Sequence, residues 1–239
     1  MTETVTVKNL VKHYGSFEAI KDISFSINEG EIFGLIGPNG AGKTTTLRVL
    51  ATLLSLSSGT VTIMNNDLVK NAGDIRKFIS YLPEDAGAYK NLTGRAYLLF
   101  IANFFEPHHC KEMVTRGITI ADLGARIDDR VDTYSKGMMR RLLVGRTLMT
   151  NPRLAILDEP TSGLDVLNAQ EIRKLIKTTA QTGTTVLLSS HNMLEVEYLC
   201  DRIALIADGK IVETGRPQDL MKKYNVRNIE EVFIKVVHQ

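Results

Sequence analysis

The chain has 239 residues, 44% of them hydrophobic, with 29 basic and 27 acidic side chains. That length and apolar content suffice for one large domain with a real core, or for a core carrying an inserted sub-domain, and they exclude disorder or a fibrous design. The near-cancellation of charge excludes a strong overall electrostatic footprint for nucleic acid or anionic lipid, so binding to either has to be local.

Cys110 and Cys200 are far apart and form no CxxC pair, which implies neither a disulfide framework nor a zinc site and fits a reducing, cytosolic setting. The opening MTETVTVKNLV lacks the basic-then-apolar pattern of a signal peptide, and no apolar run approaches the roughly 18 residues of a membrane span. The expectation is a protein that meets a membrane only through a partner.

Val5 and Val7, then Ile23, Phe25 and Ile27, recur at period two with polar residues between them, which predicts a half-exposed antiparallel β region. EIFGLIG, Glu31 to Gly37, is an apolar run ending in a glycine-rich turn, and TTTLRVLATLL after it has helical spacing. Strand, loop, helix is how a parallel α/β sheet begins. FISYLP, ending at Pro83, predicts a second short strand. From about Asp85 to Asn151 stretches such as LTGRAYLLFIANFF show helical periodicity, and the reading is a helical insertion.

The α/β pattern resumes with RLAILD (Arg153 to Asp158), a helix from about Asn168, TTVLLSS (Thr184 to Ser190), another helix, and RIALIADGKIVETG as a hairpin turning at Asp208-Gly209. LAIL and TVLL lack alternation, as strands covered on both faces should. In the tail RNIEEVFIKVV, residues Ile229, Val232, Phe233 and Val236 share one helical stripe with Glu230 and Glu231 near its start, so the tail is expected to dock on the body. The predicted organisation is one domain over 1–239: a core of 1–84 and 152–215, a helical sub-domain of about 85–151 and a helical tail of 216–239.

Gly37-Pro38-Asn39-Gly40-Ala41-Gly42-Lys43-Thr44 matches G-x-x-x-x-G-K-[ST] and lies between a predicted strand and helix. Such a loop aims backbone N–H groups at a triphosphate at a helix N-terminus. Lys43 is the candidate for the β- and γ-phosphates, Thr44 for magnesium and Thr45 for the inner phosphates. LAILDEP ends a buried strand with two carboxylates that point in different directions: Asp158 suits magnesium, and Glu159 suits a general base for the water attacking the γ-phosphate. A second stretch, YSKGMMRR, also reads as an anion-binding helix start, with Ser135 as N-cap and a glycine permitting close approach.

The set GPNGAGKT, YSKGM, LAILDEP, SGLD (Ser162 to Asp165) and Ser190-His191, in this order, resembles the ATP-binding subunits of ABC transporters, over essentially the whole chain. The resemblance implies an α/β phosphate-loop NTPase core of the RecA-like kind, with the antiparallel β region N-terminal to it and the helical sub-domain inserted. It implies ATP and magnesium, a dimer closing on two ATP molecules, and an integral membrane permease as partner at the inner face of the cell membrane. No nucleic-acid partner is expected.

By position, Tyr14 matches the aromatic residue that stacks on adenine. Ser135, Lys136, Gly137 and Met138 fall in the signature that contacts the partner's ATP, Asp165 matches a dimer-interface residue, and His191 matches the switch histidine at the γ-phosphate. Glu84 stands where many relatives carry the magnesium-coordinating glutamine, Lys136 replaces the usual first glycine of the signature, and Met138 its glutamine. YLPE, YSKGM and IEEVFIKVV together look like the type-2 exporter branch. The rival readings are an importer subunit and a non-transport ABC ATPase acting on ribosomes or DNA.

Two features take bland readings. His108-His109-Cys110 reads as a surface helix start rather than a metal site. The basic residues of MMRRLLVGR read as helix-surface charges, with Arg140 or Arg141 the two that a partner's phosphates could meet.

Overall fold

Two long strands, β1 (Glu3–Tyr14) and β2 (Phe17–Asn28), open the chain as an antiparallel hairpin. The computed structural model describes residues 2–105 and 109–237, apart from the side chain of Glu195. Val5 pairs with Ile27 and Val7 with Phe25, so the apolar positions of the period-two pattern face inward together. β3 (Ile32–Ile36) and α1 (Lys43–Leu50) follow, then β4 (Ser58–Ile63), β5 (Asn66–Asp67), α2 (Ala72–Ile75) and β6 (Ile79–Leu82). The segment after β6 holds α3 (Gly94–Ala102), α4 (Cys110–Ala121), 3-10 turns at Gly124–Asp128 and Val131–Thr133, and α5 (Lys136–Leu148). The chain then runs through β7 (Leu154–Leu157), α6 (Val166–Gln181), β8 (Thr185–Ser190), α7 (Met193–Leu199), β9 (Arg202–Ala207), β10 (Lys210–Gly215), α8 (Pro217–Tyr224) and α9 (Ile229–Val237).

The strands form two sheets. One is antiparallel, in the order β2-β1-β4-β5, and the other runs β10-β9-β3-β8-β7-β6 and is parallel from β9 to β6, with β10 antiparallel at its edge. The two predicted sheet types are therefore both present. β4 is absent from the sequence-based reading because SGTVTI opens with three exposed residues and buries only Val61 and Ile63. Its pairing with β1, Val5 to Ile63 and Val7 to Val61, is a long-range contact that no local pattern announces.

The strands of the six-stranded sheet do have period-two order, but both faces are apolar. In β3, Phe33 and Leu35 face the core shared with the antiparallel sheet and α1, while Ile32 and Ile36 face the core shared with the helices. Leu154 and Ile156 against Ala155 and Leu157 in β7 divide in the same way. Phe25 stacks on Phe33 at 5.4 Å and ties the two sheets.

α6 begins at Val166, earlier than the expected Asn168, because Asp165 caps it, accepting from the Asn168 amide at 3.0 Å. The β9–β10 hairpin turns where expected, with Asp208 at φ 47° and Gly209 at φ 77°, the left-handed pair that a two-residue hairpin requires. α9 buries Ile229 and Val232 and half-buries Phe233 and Val236, and Glu197 on α7 accepts the Ile229 amide at 2.6 Å. Among the described residues no helix is long and apolar enough to cross a membrane.

Candidate functional site

The loop between β3 and α1 is shaped by close backbone approaches. A Cβ on Gly37 would lie 2.1 Å from the Ile206 carbonyl oxygen, and one on Gly42 would lie 2.8 Å from that of Ala19. Gly42 is also the N-cap of α1 at φ 104°, with no side chain capping the helix. The N-terminus of α1 thus offers its amides and its dipole to an anion. Lys43, although charged, is buried: its Nζ donates to the carbonyl oxygens of Gly37 at 2.7 Å and Pro38 at 3.1 Å.

The two carboxylates at the end of β7 diverge. Asp158 is fully buried; its Oδ1 accepts from Ser189 Oγ at 2.6 Å and Thr44 Oγ1 at 3.2 Å, and its Oδ2 accepts from the Tyr81 hydroxyl at 3.3 Å. Burial, and next the charge of Asp158, push the Tyr81 phenol up to about 12, so at neutral pH it is a donor. Glu159 takes a left-handed backbone, φ 48°, which a non-glycine residue rarely adopts, and Ser189 Oγ accepts its amide at 2.9 Å.

That strained turn aims the Glu159 side chain, 4% exposed, back into the site. Its Oε2 lies 2.8 Å from His191 Nδ1 and its Oε1 lies 3.3 Å from Lys43 Nζ. The Lys43 contact is ionic only, because its direction is wrong for a hydrogen bond and Oε1 is left as a buried acceptor with no donor. A carboxylate held at one oxygen, with the other accepting no hydrogen bond, has an acceptor to spare for a water proton once Lys43 turns to a phosphate.

Thr44 Oγ1 and Asp158 Oδ1 form a pair of hard oxygen donors in contact at 3.2 Å, which fits magnesium. Glu84 is exposed in the loop after β6, and its Oε1 accepts from Ser162 Oγ at 3.5 Å. Tyr14, 46% exposed, ends β1 with Lys12 Nζ 5.4 Å from its ring centre.

The YSKGM stretch forms the start of α5. Ser135 is the N-cap, its Oγ accepting from the Met138 amide at 3.2 Å, and Lys136 is exposed. A Cβ on Gly137 would lie 2.1 Å from Asn168 Oδ1, so glycine there lets α5 meet the first turn of α6, where Asp165 holds the Asn168 amide group at 2.6 Å. Among the described residues no hydrogen bond or ion pair joins residues 135–138 to the loop 37–45 of the same chain.

The surface-charge reading of MMRRLLVGR is corrected by the structure. Arg140 is only 7% exposed and donates to five backbone carbonyls: Pro83 at 3.4 Å, Glu84 at 3.1 Å, Asp158 at 3.0 Å, Glu159 at 2.6 Å and Pro160 at 2.7 Å. It belongs inside the chain's own site and does not face a partner's phosphates. Arg141 donates to the Asp122 carbonyl at 3.1 Å, and the Nε atoms of both Arg141 and Arg146 are sealed from solvent. The signal was in the sequence: Gly137, Arg140, Val144, Thr147 and Leu148 share the helical stripe that is buried.

Tyr81 and Ser189 are further site residues that sequence reasoning missed; a strand residue's reach across a sheet to Asp158 has no local signature. Of the His108-His109-Cys110 stretch, His108 lies outside the described residues, His109 precedes α4, and Cys110 is buried rather than on the surface.

Residues 20–162 match the family model described as ABC transporter. The chain is 35% identical over 234 residues to the linearmycin resistance ATP-binding protein LnrL of Bacillus subtilis (strain 168), covering 97% of this chain and 75% of that one. It is 36% identical over 231 residues to the bacitracin transport ATP-binding protein BcrA of Bacillus licheniformis, covering 96% and 75%. A solved structure described as the ATP-binding subunit of an ABC transporter superposes with a TM-score of 0.84 at 25% identity, over 98% of this chain and 99% of that one. The ADP conformation of another ABC transporter ATP-binding cassette gives 0.80 at 25% identity over 98% and 99%. With a family model spanning more than half of its length and relatives of this identity over nearly all of it, the chain belongs to the ABC transporter family, as one of its ATP-binding ATPase cassettes.

Proposed function

We propose that this chain closes as a dimer on two ATP molecules, hydrolyses them, and thereby powers a membrane exporter from the cytoplasmic face. The observation that carries the hydrolytic part is Glu159, buried with Oε2 at His191 and with Oε1, beside Lys43, accepting no hydrogen bond.

In the proposed reaction the backbone N–H groups of the loop from Asn39 to Thr45, together with the Lys43 ammonium, bind the triphosphate, with Tyr14 against adenine. Lys43 leaves the Gly37 and Pro38 carbonyls for phosphate oxygens. Glu159 Oε1 accepts a proton from water as its oxygen attacks the γ-phosphorus, and the bond from that phosphorus to the bridging oxygen of ADP breaks. His191 fixes the carboxylate. Thr44 and Asp158 would hold magnesium, with Glu84 the further candidate ligand, and the ion would neutralise phosphate charge.

The unused N-terminus of α5 supports the dimer: Ser135, Lys136, Gly137 and Met138 serve the neighbour's ATP, with Asp165 and the exposed Val166 and Leu167 at the dimer contact. For the permease, the helical segment presents an exposed aromatic face, Tyr89, Phe100 and Phe104, in edge-to-face contact at 5.3 and 5.1 Å. Export is favoured by similarity to relatives named for antibiotic resistance and for fluoroquinolone export. Recovery of the tagged chain from detergent-extracted membranes with a multi-span membrane protein is the expected result. Recovery only with ribosomes or DNA would sink the transporter reading.

A further inference from the structure

Two exposed charges of opposite sign lie against one turn of the chain. Among the described residues the Glu84 carboxylate accepts one hydrogen bond, from Ser162 Oγ at 3.5 Å. Lys136 opens α5, and its Nζ lies 3.9 Å from the point where a Cβ on Gly163 would stand. Ser162 and Gly163 are consecutive, so the carboxylate and the ammonium flank the same turn. They form no ion pair across it, and among the described residues no ion pair involves either of them. Arg140 donates to the Glu84 carbonyl and not to its carboxylate.

Neither charge helps the isolated chain. Lys136 sits in the first turn of a helix that has no acidic residue there, where the positive end of the dipole disfavours a cation. Glu84 adds a negative charge to a site that already holds Asp158 and Glu159 and has to accept a triphosphate. The three are close, because the one guanidinium of Arg140 binds the carbonyls of all of them. The turn then runs on into Val166 and Leu167, both largely exposed, so uncovered apolar surface adjoins the unpaired charges.

A second copy of the chain accounts for both charges. In the dimer proposed above, the first turn of α5 in one chain meets the nucleotide of the other, and the loop after β6 borders that same nucleotide. A two-fold interface is reciprocal, so a contact made by Lys136 of one chain is repeated by Lys136 of its partner.

We propose that Lys136 pairs across the dimer with Glu84 of the opposite copy. Each nucleotide site then gains an anion from one chain and the cation that offsets it from the other. The proposal rests on the reading of the chain as a dimer that closes on ATP. Its consequence is partner choice: a chain lacking either charge is a poorer match for this one.

The test uses the full chain carrying Glu159→Gln and reads the dimer fraction in ATP and magnesium by analytical ultracentrifugation. Lys136→Glu and Glu84→Lys are made separately in that parent; both positions are exposed, so nucleotide-free melting temperatures stay at the parent's. Each variant alone should dimerise at least about tenfold more weakly, as expected for loss of a close interfacial charge pair. Mixed in equal amounts they restore the dimer. In the mixed pair the two native side chains face each other at one site, and the two replaced ones, again of opposite sign, face each other at the second. A mixture no more dimeric than either variant alone, with the parent dimerising, overturns the pairing and leaves the dimer reading standing. A parent that stays monomeric in ATP overturns both. Neutral variants give a second measure: Lys136→Gln should weaken the dimer about tenfold beside Glu84 but less than about threefold beside Glu84→Gln. Equal losses in the two backgrounds would show Lys136 acting on something other than Glu84 and overturn the pairing.

Discussion

Arg140 Nη2 donates to the carbonyl oxygen of Glu159 at 2.6 Å, so α5, which Ser135 caps, is tied by its own buried guanidinium to the residue placed as the base. Through Pro83 and Glu84 the same side chain holds the loop after β6. One residue therefore couples three pieces of the site within a single chain.

Arg140→Met keeps the length of the side chain and removes every one of these donors. Stranding a buried carbonyl acceptor costs about 1–3 kcal/mol, so removing the donor shared by several of them costs about 3–5 kcal/mol in sum. For a domain of this size that lowers the melting temperature by roughly 6–20 °C. Calorimetry measures it, and a melting temperature equal to wild type would show that water or rearranged backbone replaces the guanidinium.

Tyr81→Phe removes the hydroxyl from Asp158 Oδ2. A hydrogen bond to a charged acceptor contributes on the order of 1.5–3 kcal/mol. The magnesium concentration for half-maximal hydrolysis should therefore shift at least several-fold, with ATP affinity in the absence of metal unaffected. An unchanged magnesium dependence would remove Tyr81 from the site.

The same phenol predicts a pH effect. Its folded pKa is raised from 10.0 to about 12, so the stability it contributes is complete below 10.0 and is lost as pH rises through about 12. Across that window the wild type should lose more stability in urea titrations than Tyr81→Phe does. Parallel losses in the two proteins would contradict the assignment.

Gly137→Ala puts a methyl where Asn168 Oδ1 stands. Overpacking of this kind costs ~1–3 kcal/mol. Asn168→Ala should relieve it, so the double variant is more stable than Gly137→Ala alone. If Asn168→Ala gives no rescue, the α5–α6 approach is not set by this pair.

Much of the α/β fold and part of the site can be read locally. GPNGAGKT places its chemistry on consecutive residues, and LAILDEP puts Asp158 and Glu159 at a strand end, where period two separates them. What escaped is what folding alone brings together. Ser189 reaches Asp158 and the Glu159 amide from the neighbouring strand, and Tyr81 reaches Asp158 from β6 on the other side. β4 escaped because its partner, β1, is distant in sequence. Arg140 escaped for a different reason: a charged residue on a buried stripe is read by its charge, although its position on the stripe already put it inside.

Glu159 as the base, held by His191, is tested by ATP turnover together with the oligomeric state of Glu159→Gln in ATP and magnesium. The expected result is retained ATP binding, turnover lowered by roughly 10²–10⁴-fold, and a stable ATP-bound dimer in size-exclusion chromatography. Turnover equal to wild type would contradict it.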